Sequence, residues 1–298
     1  MRAVLAIGLC SAVGCAPPGA PHAPADIIPY DPAYVASSQR LRATLARDNI
    51  ELDTQPVLTT CDFPELEREC ARCEVATVVD QIDPELVDAM AIAFARYPSS
   101  VRKAARLERV AFCRTIHYVG KDHGPAGLAD PNTHRIYIGV EYFRTAHHTF
   151  SIEHAVHHEV FHLLDFATNG PRAVADYEWA ALNPKGFEYT ESGGEKREPG
   201  FVNTYAQTDA VEDRASTFEY LMVRPDELCA MADDDAVLAR KVRLLWQRVA
   251  LVEGANRLGV TAPCVKAKPT KRKPVTKTKR KPITLPGLPN RTTKQRLQ

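Results

Sequence analysis

Residues His157-His158-Glu159-Val160-Phe161-His162 combine the side chains and the spacing that metal-assisted hydrolysis requires. His158 and His162 are four positions apart, so on a helix both imidazoles share a face and can reach one cation. Neutral imidazole suits Zn²⁺, and two ligands on one rigid segment fix half of a tetrahedral site in advance. Glu159 stands one step around the helix, beside the water that the metal would activate, where a general base can take a proton. Val156, Val160, Leu163 and Leu164 form a separate apolar stripe that would pack the helix on a core. The histidines lie off that stripe, whereas histidines that merely fill a core would interrupt it. His147, His148, His154 and His157 enrich the region in imidazole, but their spacing defines no second site; they read as surface or supporting residues.

Two histidines do not close a catalytic zinc site. A third protein ligand is required, with the fourth position left for water. The metzincin continuation HExxHxxGxxH fails, because Asp165 stands in the Gly position and Thr168 in the last His position. The third ligand must come from another element. Glu212, on an expected helix 50 residues beyond His162, would complete a His₂Glu set.

The segment Phe201-Val202-Asn203-Thr204-Tyr205, followed by Glu212-Asp213 and Phe218, resembles the second half of the lethal-factor-type gluzincin peptidases. The stretch Trp179-Ala180-Ala181-Leu182-Asn183-Pro184-Lys185-Gly186-Phe187-Glu188-Tyr189 resembles one common in bacterial exported zinc-binding metallopeptidases. Together these resemblances cover about residues 105–225. They imply a zincin-like α+β domain with a small sheet, zinc on His158, His162 and Glu212, and peptide-bond hydrolysis. They also imply that Tyr205, seven residues before Glu212, assists the oxyanion. By the same analogy the strand at 135–140, just before the metal helix, is expected to be an exposed edge that pairs with an extended substrate.

One position departs from the family pattern. A carboxylate usually follows the ligand Glu by four residues and orients a zinc histidine; here that residue is Ser216. Such partners commonly change metal affinity or activity by about 10–100-fold. Ser216 can still hydrogen-bond, and Asp165 lies one turn beyond His162. The departure favours a rival reading, in which a non-catalytic envelope protein carries a structural or vestigial metal site and acts as a binding module.

The elements that would position these residues can be read from local signals. A helix is expected over 34–48. Asp83-Pro84-Glu85 starts another that runs to Tyr97-Pro98, with an acidic cap and Pro at the first helical position. Strand-like segments follow at 110–119 and 135–140, separated by a loop rich in Gly, Asp, Pro and Asn. Ser151 caps the metal helix, which runs to about 166. Further helices are expected at 209–223, stopped by Pro225, and at 236–253, with Gly254 just past the end. Helices around short strands make an α+β domain.

The first 15 residues have the layout of a secretory signal: Arg2, a short apolar stretch, then small residues leading to Cys15. Ala12-Val13-Gly14-Cys15 resembles a lipobox, although Ala12 replaces the usual Leu. Lipidation at Cys15 would anchor the protein to a membrane, and a plain cleaved signal would secrete it; both readings export the chain. Residues 16–32 form a Pro/Ala-rich tether, and 33–264 the zincin-like catalytic domain with an N-terminal helical part. Six cysteines remain beyond the signal: Cys61, Cys70, Cys73, Cys113, Cys229 and Cys264. In an exported chain they read as disulfides, with Cys70-Ala-Arg-Cys73 as a redox pair or half of a zinc site the alternative.

The formal charge of +1 conceals an asymmetry. Residues 265–298 carry 12 Lys and Arg and no acid, which leaves 26 basic against 37 acidic residues in the rest. A uniformly basic nucleic-acid binder is excluded, and no aromatic interleaving in the tail supports nucleic-acid readout. The tail is expected to be disordered, read either as a plain solvated tail or as one that adheres to anionic envelope polymer, lipid or nucleic acid, of which export favours the envelope. No apolar run reaches the roughly 18 residues of a membrane span. An exported hydrolase acting on protein or peptide is the expectation.

Overall fold

The computed structural model describes residues 32–53, 71–76, 82–118, 124–145, 150–260 and 264. The chain runs α1 (Pro32–Ala46), β1 (Glu51–Asp53), β2 (Ala71–Ala76), α2 (Pro84–Ala95), α3 (Ser99–Ala104) and β3 (Arg109–Tyr118). It continues with β4 (Gly127–Asp130), β5 (Arg135–Gly139), α4 (Val140–Thr145), α5 (Ile152–Asn169), α6 (Tyr177–Ala180), α7 (Ala210–Val223), α8 (Pro225–Asp234) and α9 (Ala236–Val249). This is an α+β arrangement. The expected signal (1–15), nearly all of the tether (16–31) and the tail (265–298), and with them Cys15, Cys61, Cys70, His147 and His148, lie outside the described residues.

Side-chain caps set the helix starts. Asp83 accepts from the Glu85 amide at 3.0 Å, and Pro84 opens α2. Asp209 accepts from the amides of Val211 and Glu212 at 2.7 and 2.8 Å, and Asp235 caps α9 in the same way. At α5 the Ser151 amide donates to His154 Nδ1 at 3.2 Å, so an imidazole fills the place a Glu usually takes in a capping box. The helix ends differ from the sequence expectation. α2 stops at Ala95 because Tyr97 precedes Pro98, which disfavours helical backbone there and begins α3. α5 runs one turn further than expected, to Gly170 at φ +55°. α9 ends at Val249 rather than 253, and Pro225 does more than stop α7, since it also opens α8.

The sheet is mixed, and β3 is its centre. β3 pairs in parallel with β1 over Arg109–Ala111 and antiparallel with β2 further along the same edge. Its other edge pairs in parallel with β5, and β5 pairs antiparallel with β4. Two expectations are corrected here. The segment 135–140 is not an edge strand: β5 is buried along its whole length between β3 and β4. Among the described residues that edge belongs to β4, in a stretch expected to be a loop. Gly127-Leu128-Ala129-Asp130 has low strand propensity, but a tight turn folds it back on β5. Asp130 stabilises that turn by accepting from the amides of Asn132 and Thr133 and from Thr133 Oγ1.

Period-two alternation divides Val110, Phe112, Ile136 and Ile138, which face the main core with α1, α2 and α5, from Ala111, Cys113 and Tyr137, which form a separate smaller cluster that Ile116 joins from further along β3. Phe161 of α5 stacks on Phe218 of α7 at 4.8 Å between ring centroids. No helix among the described residues is long and apolar enough to cross a membrane.

Cys73 is bonded to Cys113, and Cys229 to Cys264, which is compatible with an exported protein. With Cys113 as its partner, Cys73 is not half of a Cys70–Cys73 redox pair or a zinc clip. Each bridge closes a loop long enough to remove about 4 kcal/mol of unfolded-state entropy in the chain-entropy picture. Non-reducing peptide mapping should therefore recover both pairs. Cys113→Ala or Cys229→Ala should cost about 2–5 kcal/mol in urea unfolding. Bridges found between other partners would overturn the assignment.

Candidate metal centre

The centre forms where α5 packs on α7. His158 and His162 follow one another by one helical turn, with ring centroids 4.6 Å apart. Glu212 sits in the first turn of α7, on a helix start fixed by Asp209. Its Oε2 lies 2.8 Å from His158 Nε2 and 3.3 Å from His162 Nε2. The ligand atoms of these three residues all fall within 4.8 Å of one another, and all three side chains are buried. This group could hold a metal ion. Two imidazole nitrogens and one carboxylate oxygen converge there, as a divalent cation with nitrogen and oxygen ligands requires.

The surrounding charges fit a cation as well. Burial pushes the His158 imidazole down. Hydrogen bonds to Glu212 and Glu219, with their charge, override that and hold its pKa well above the usual histidine value. Burial raises Glu212, yet the charge of His162 and the hydrogen bonds from both histidines bring it well below the usual carboxylate value. Burial pushes Glu159 and Glu219 up, only partly offset by the histidines. Three buried carboxyl groups thus surround two imidazoles, and a divalent ion would relieve their mutual repulsion.

Glu159 is buried on the same turn of α5 and abuts the edge strand, next to Gly127. Tyr205 lies in a short 3-10 turn, Tyr205–Gln207, just before α7. It is half-exposed, with its ring 5.9 Å from that of His158. Gln207 fastens this turn to the preceding loop. Its amide nitrogen donates to the carbonyls of Gly193 and Lys196, and its oxygen accepts from the Glu198 amide. Gly193 has φ +69°, and a Cβ there would sit 2.2 Å from the Thr204 carbonyl, so only glycine lets the two segments close.

Glu219, which the sequence reading missed, takes the position that orients a ligand. Its Oε2 is 2.8 Å from His158 Nδ1, and it is almost fully buried. Seven residues separate it from Glu212, two helical turns on the same face, and that periodicity was the available signal. With Nδ1–H donated to a carboxylate, Nε2 is the nitrogen left to bind metal. Ser216, at the fourth position after Glu212, is buried with no partner for its Oγ among the described residues. Asp165 is turned to α7: Arg214 Nε and the Asn169 amide donate to it at 2.9 and 2.6 Å. Two neighbouring histidines have structural partners. His157 Nδ1 lies 2.6 Å from the Tyr97 hydroxyl, with its pKa pushed down to about 3 by burial, and His154 caps α5.

The residues beside Glu212 anchor α7. Asp213 Oδ2 accepts from the buried Lys241 Nζ at 2.6 Å and Trp179 Nε1 at 2.7 Å, and from the partly buried Tyr189 hydroxyl at 2.9 Å. Arg214 reaches Asp165, Asp176 and the Ala173 carbonyl. The Trp179-to-Tyr189 stretch, singled out in the sequence, therefore holds the helix that carries Glu212.

Two measurements probe this arrangement. Glu219→Ala should weaken zinc affinity by about 10–100-fold in chelator competition, while Ser216→Ala should leave it unchanged; the reverse would remove Glu219 from this role. In the metal-free protein, the raised His158 pKa adds stability that is whole below its unfolded value of 6.5 and lost as pH rises through the folded value. The raised Glu159 and Glu219 add to that loss, whereas Glu212 contributes above its unfolded 4.5 and loses its share only as pH falls. Urea midpoints in chelator should decline above about pH 4.5, where the raised carboxyls begin to lose, and fall further above about 6.5. A midpoint rising to pH 9 would contradict the buried pairing.

Comparison with protein-family models gave no match, and comparisons with curated proteins and with solved structures gave none either. The reading of the site rests on its own residues.

Proposed function

We propose that this chain is a zinc metallopeptidase of the gluzincin type with a zincin-like catalytic domain. The observation that carries the proposal is the convergence of His158, His162 and Glu212 beside a buried Glu159 and a half-exposed Tyr205. His158, His162 and Glu212 would hold the ion. A zinc ion held there would supply Lewis acidity toward a carbonyl and would make a water a stronger acid.

The protein's own groups do the rest. Glu159 accepts the proton of the attacking water and returns it to the leaving amine; burial, which raises its affinity for the proton, suits both transfers. Tyr205 donates a hydrogen bond to the developing oxyanion, a stabilisation of about 3–4 kcal/mol when preorganised. Glu219 holds His158 in one tautomer and orientation. The substrate is a protein or peptide in extended form, and β4, the sheet edge beside Glu159, is the strand it would pair with.

The departure at Ser216 is the one feature that favours a non-catalytic binding module in the envelope. The contact of Glu219 with His158 Nδ1 supports the catalytic reading against it, because a carboxylate is supplied there from the next turn. We place the protein outside the cytoplasm, tethered to a membrane by a lipid on Cys15 or, with a plain cleaved signal, secreted. The basic tail would lie against anionic envelope polymers or lipid.

The test separates binding from chemistry. Glu159→Gln should keep one zinc and lose hydrolysis of an unstructured protein by about 10²–10⁴-fold. Tyr205→Phe should also keep zinc and lower kcat by about 10²–10³-fold. Glu212→Ala should lose the metal itself, since two histidines alone bind weakly. Zinc lost in Tyr205→Phe but kept in Glu212→Ala would break the assignment.

A further inference from the structure

Gly127 is the first residue of β4, and its position is fixed from the β5 side. It lies opposite Ile138 in the register, and the Gly139 amide donates to the carbonyl of the preceding Ala126 at 2.9 Å. On the other side β4 packs on α5, where Glu159 sits. A Cβ on residue 127 would lie 2.6 Å from Glu159 Oε1, 2.7 Å from its Cγ and 2.9 Å from its Cδ. Real Cβ atoms essentially never come within 3.0 Å of a neighbour, so a side chain here must displace either the strand or the carboxylate.

The strand is held by the ladder to β5, and Glu159 is 6% exposed on an 18-residue helix. The soft coordinate is the Glu159 side-chain torsion. We infer that Gly127 is a positioning residue: the bare backbone of β4 forms the wall against which the Glu159 carboxylate rests. The absence of a side chain at 127 sets the direction in which that carboxylate points. This inference rests on the peptidase reading for its catalytic consequence, but the contact itself does not depend on it.

The experiment is a double-mutant cycle on the full-length chain, with Gly127→Ala, Glu159→Ala, Glu159→Asp and the corresponding doubles. In urea unfolding, Gly127→Ala should lower the midpoint when residue 159 is Glu and leave it nearly unchanged when residue 159 is Ala, because the conflicting atoms are gone. In the zinc-loaded protein, Gly127→Ala should retain one zinc and reduce kcat by about 10²-fold with little change in KM, the size of effect that a misplacement of about 1 Å produces. In the Glu159→Asp background, whose shorter side chain withdraws the carboxylate, the same substitution should cost under about 3-fold. Equal losses in both backgrounds, or additive midpoints in the unfolding cycle, would overturn the inference. If the wild-type protein hydrolyses no peptide, the peptidase reading fails, and the unfolding cycle still decides whether Gly127 shapes Glu159.

Discussion

Everything in this fold depends on keeping ionisable groups buried where α5 meets α7. His158, Glu159, His162 and Asp165 enter from one helix, and Glu212, Arg214 and Glu219 from the other. An isolated charge in such a place costs several kcal/mol, so each group has to be matched. The matching divides into two levels along the interface. At one, Asp165 and Arg214 form an ion pair 2.8 Å long, whose remaining capacity is taken up by Asp176, the Ala173 carbonyl and Asn169. At the other, two imidazoles face two glutamates with a third beside them, and that level is completed only by protonation or by a cation. The same interface is therefore a structural joint at one end and a group that could hold a metal ion at the other.

Much of the remaining structure restrains α7. Its register on α5 determines where Glu212 falls, and a shift of one turn would carry the carboxylate 5.4 Å away. Asp213 is the main restraint, with Lys241 from α9, Trp179 from α6 and Tyr189 from the long loop all donating to one oxygen. The Lys241 ammonium also lies 3.6 Å from the centre of the Phe201 ring, which compensates part of its lost hydration. Burial still raises Asp213 and lowers Lys241 against their mutual attraction. Such a network specifies one arrangement more than it stabilises the fold. For a site whose ligands come from helices 50 residues apart, specification is what matters.

The sheet contributes through its edge. β3 and β5 form the buried interior, whereas β4 lies at the margin against α5. The chain has to turn tightly at 131–134 to make that edge, which explains both the Asp130 turn bonds and the φ of +54° at His134. The composition such a turn demands is also what conceals the strand from a reading of residue types.

The sequence by itself determined the parts whose physics is local. His158 and His162 share a face because an α-helix repeats every 3.6 residues, and the starts of α2, α5, α7 and α9 follow from single capping residues. Glu212 was legible as a candidate ligand because it is an acid on the next long helix that could reach a pair of histidines. Glu219 was only partly so: its seven-residue spacing puts it on the face of Glu212, but which imidazole it meets is decided only when α5 packs against α7 and brings His158 Nδ1 within 2.8 Å. The same holds for the bond of Cys73 to Cys113 and for β4, since strand pairing and disulfide partners are contacts between distant segments. Ser216 shows the difference most plainly. Counting residues placed it where an orienting carboxylate belongs, but the direction of each side chain is set by the rotation of one packed helix on another. That rotation is a property of the tertiary structure, and it turned Glu219 rather than Ser216 toward the imidazole.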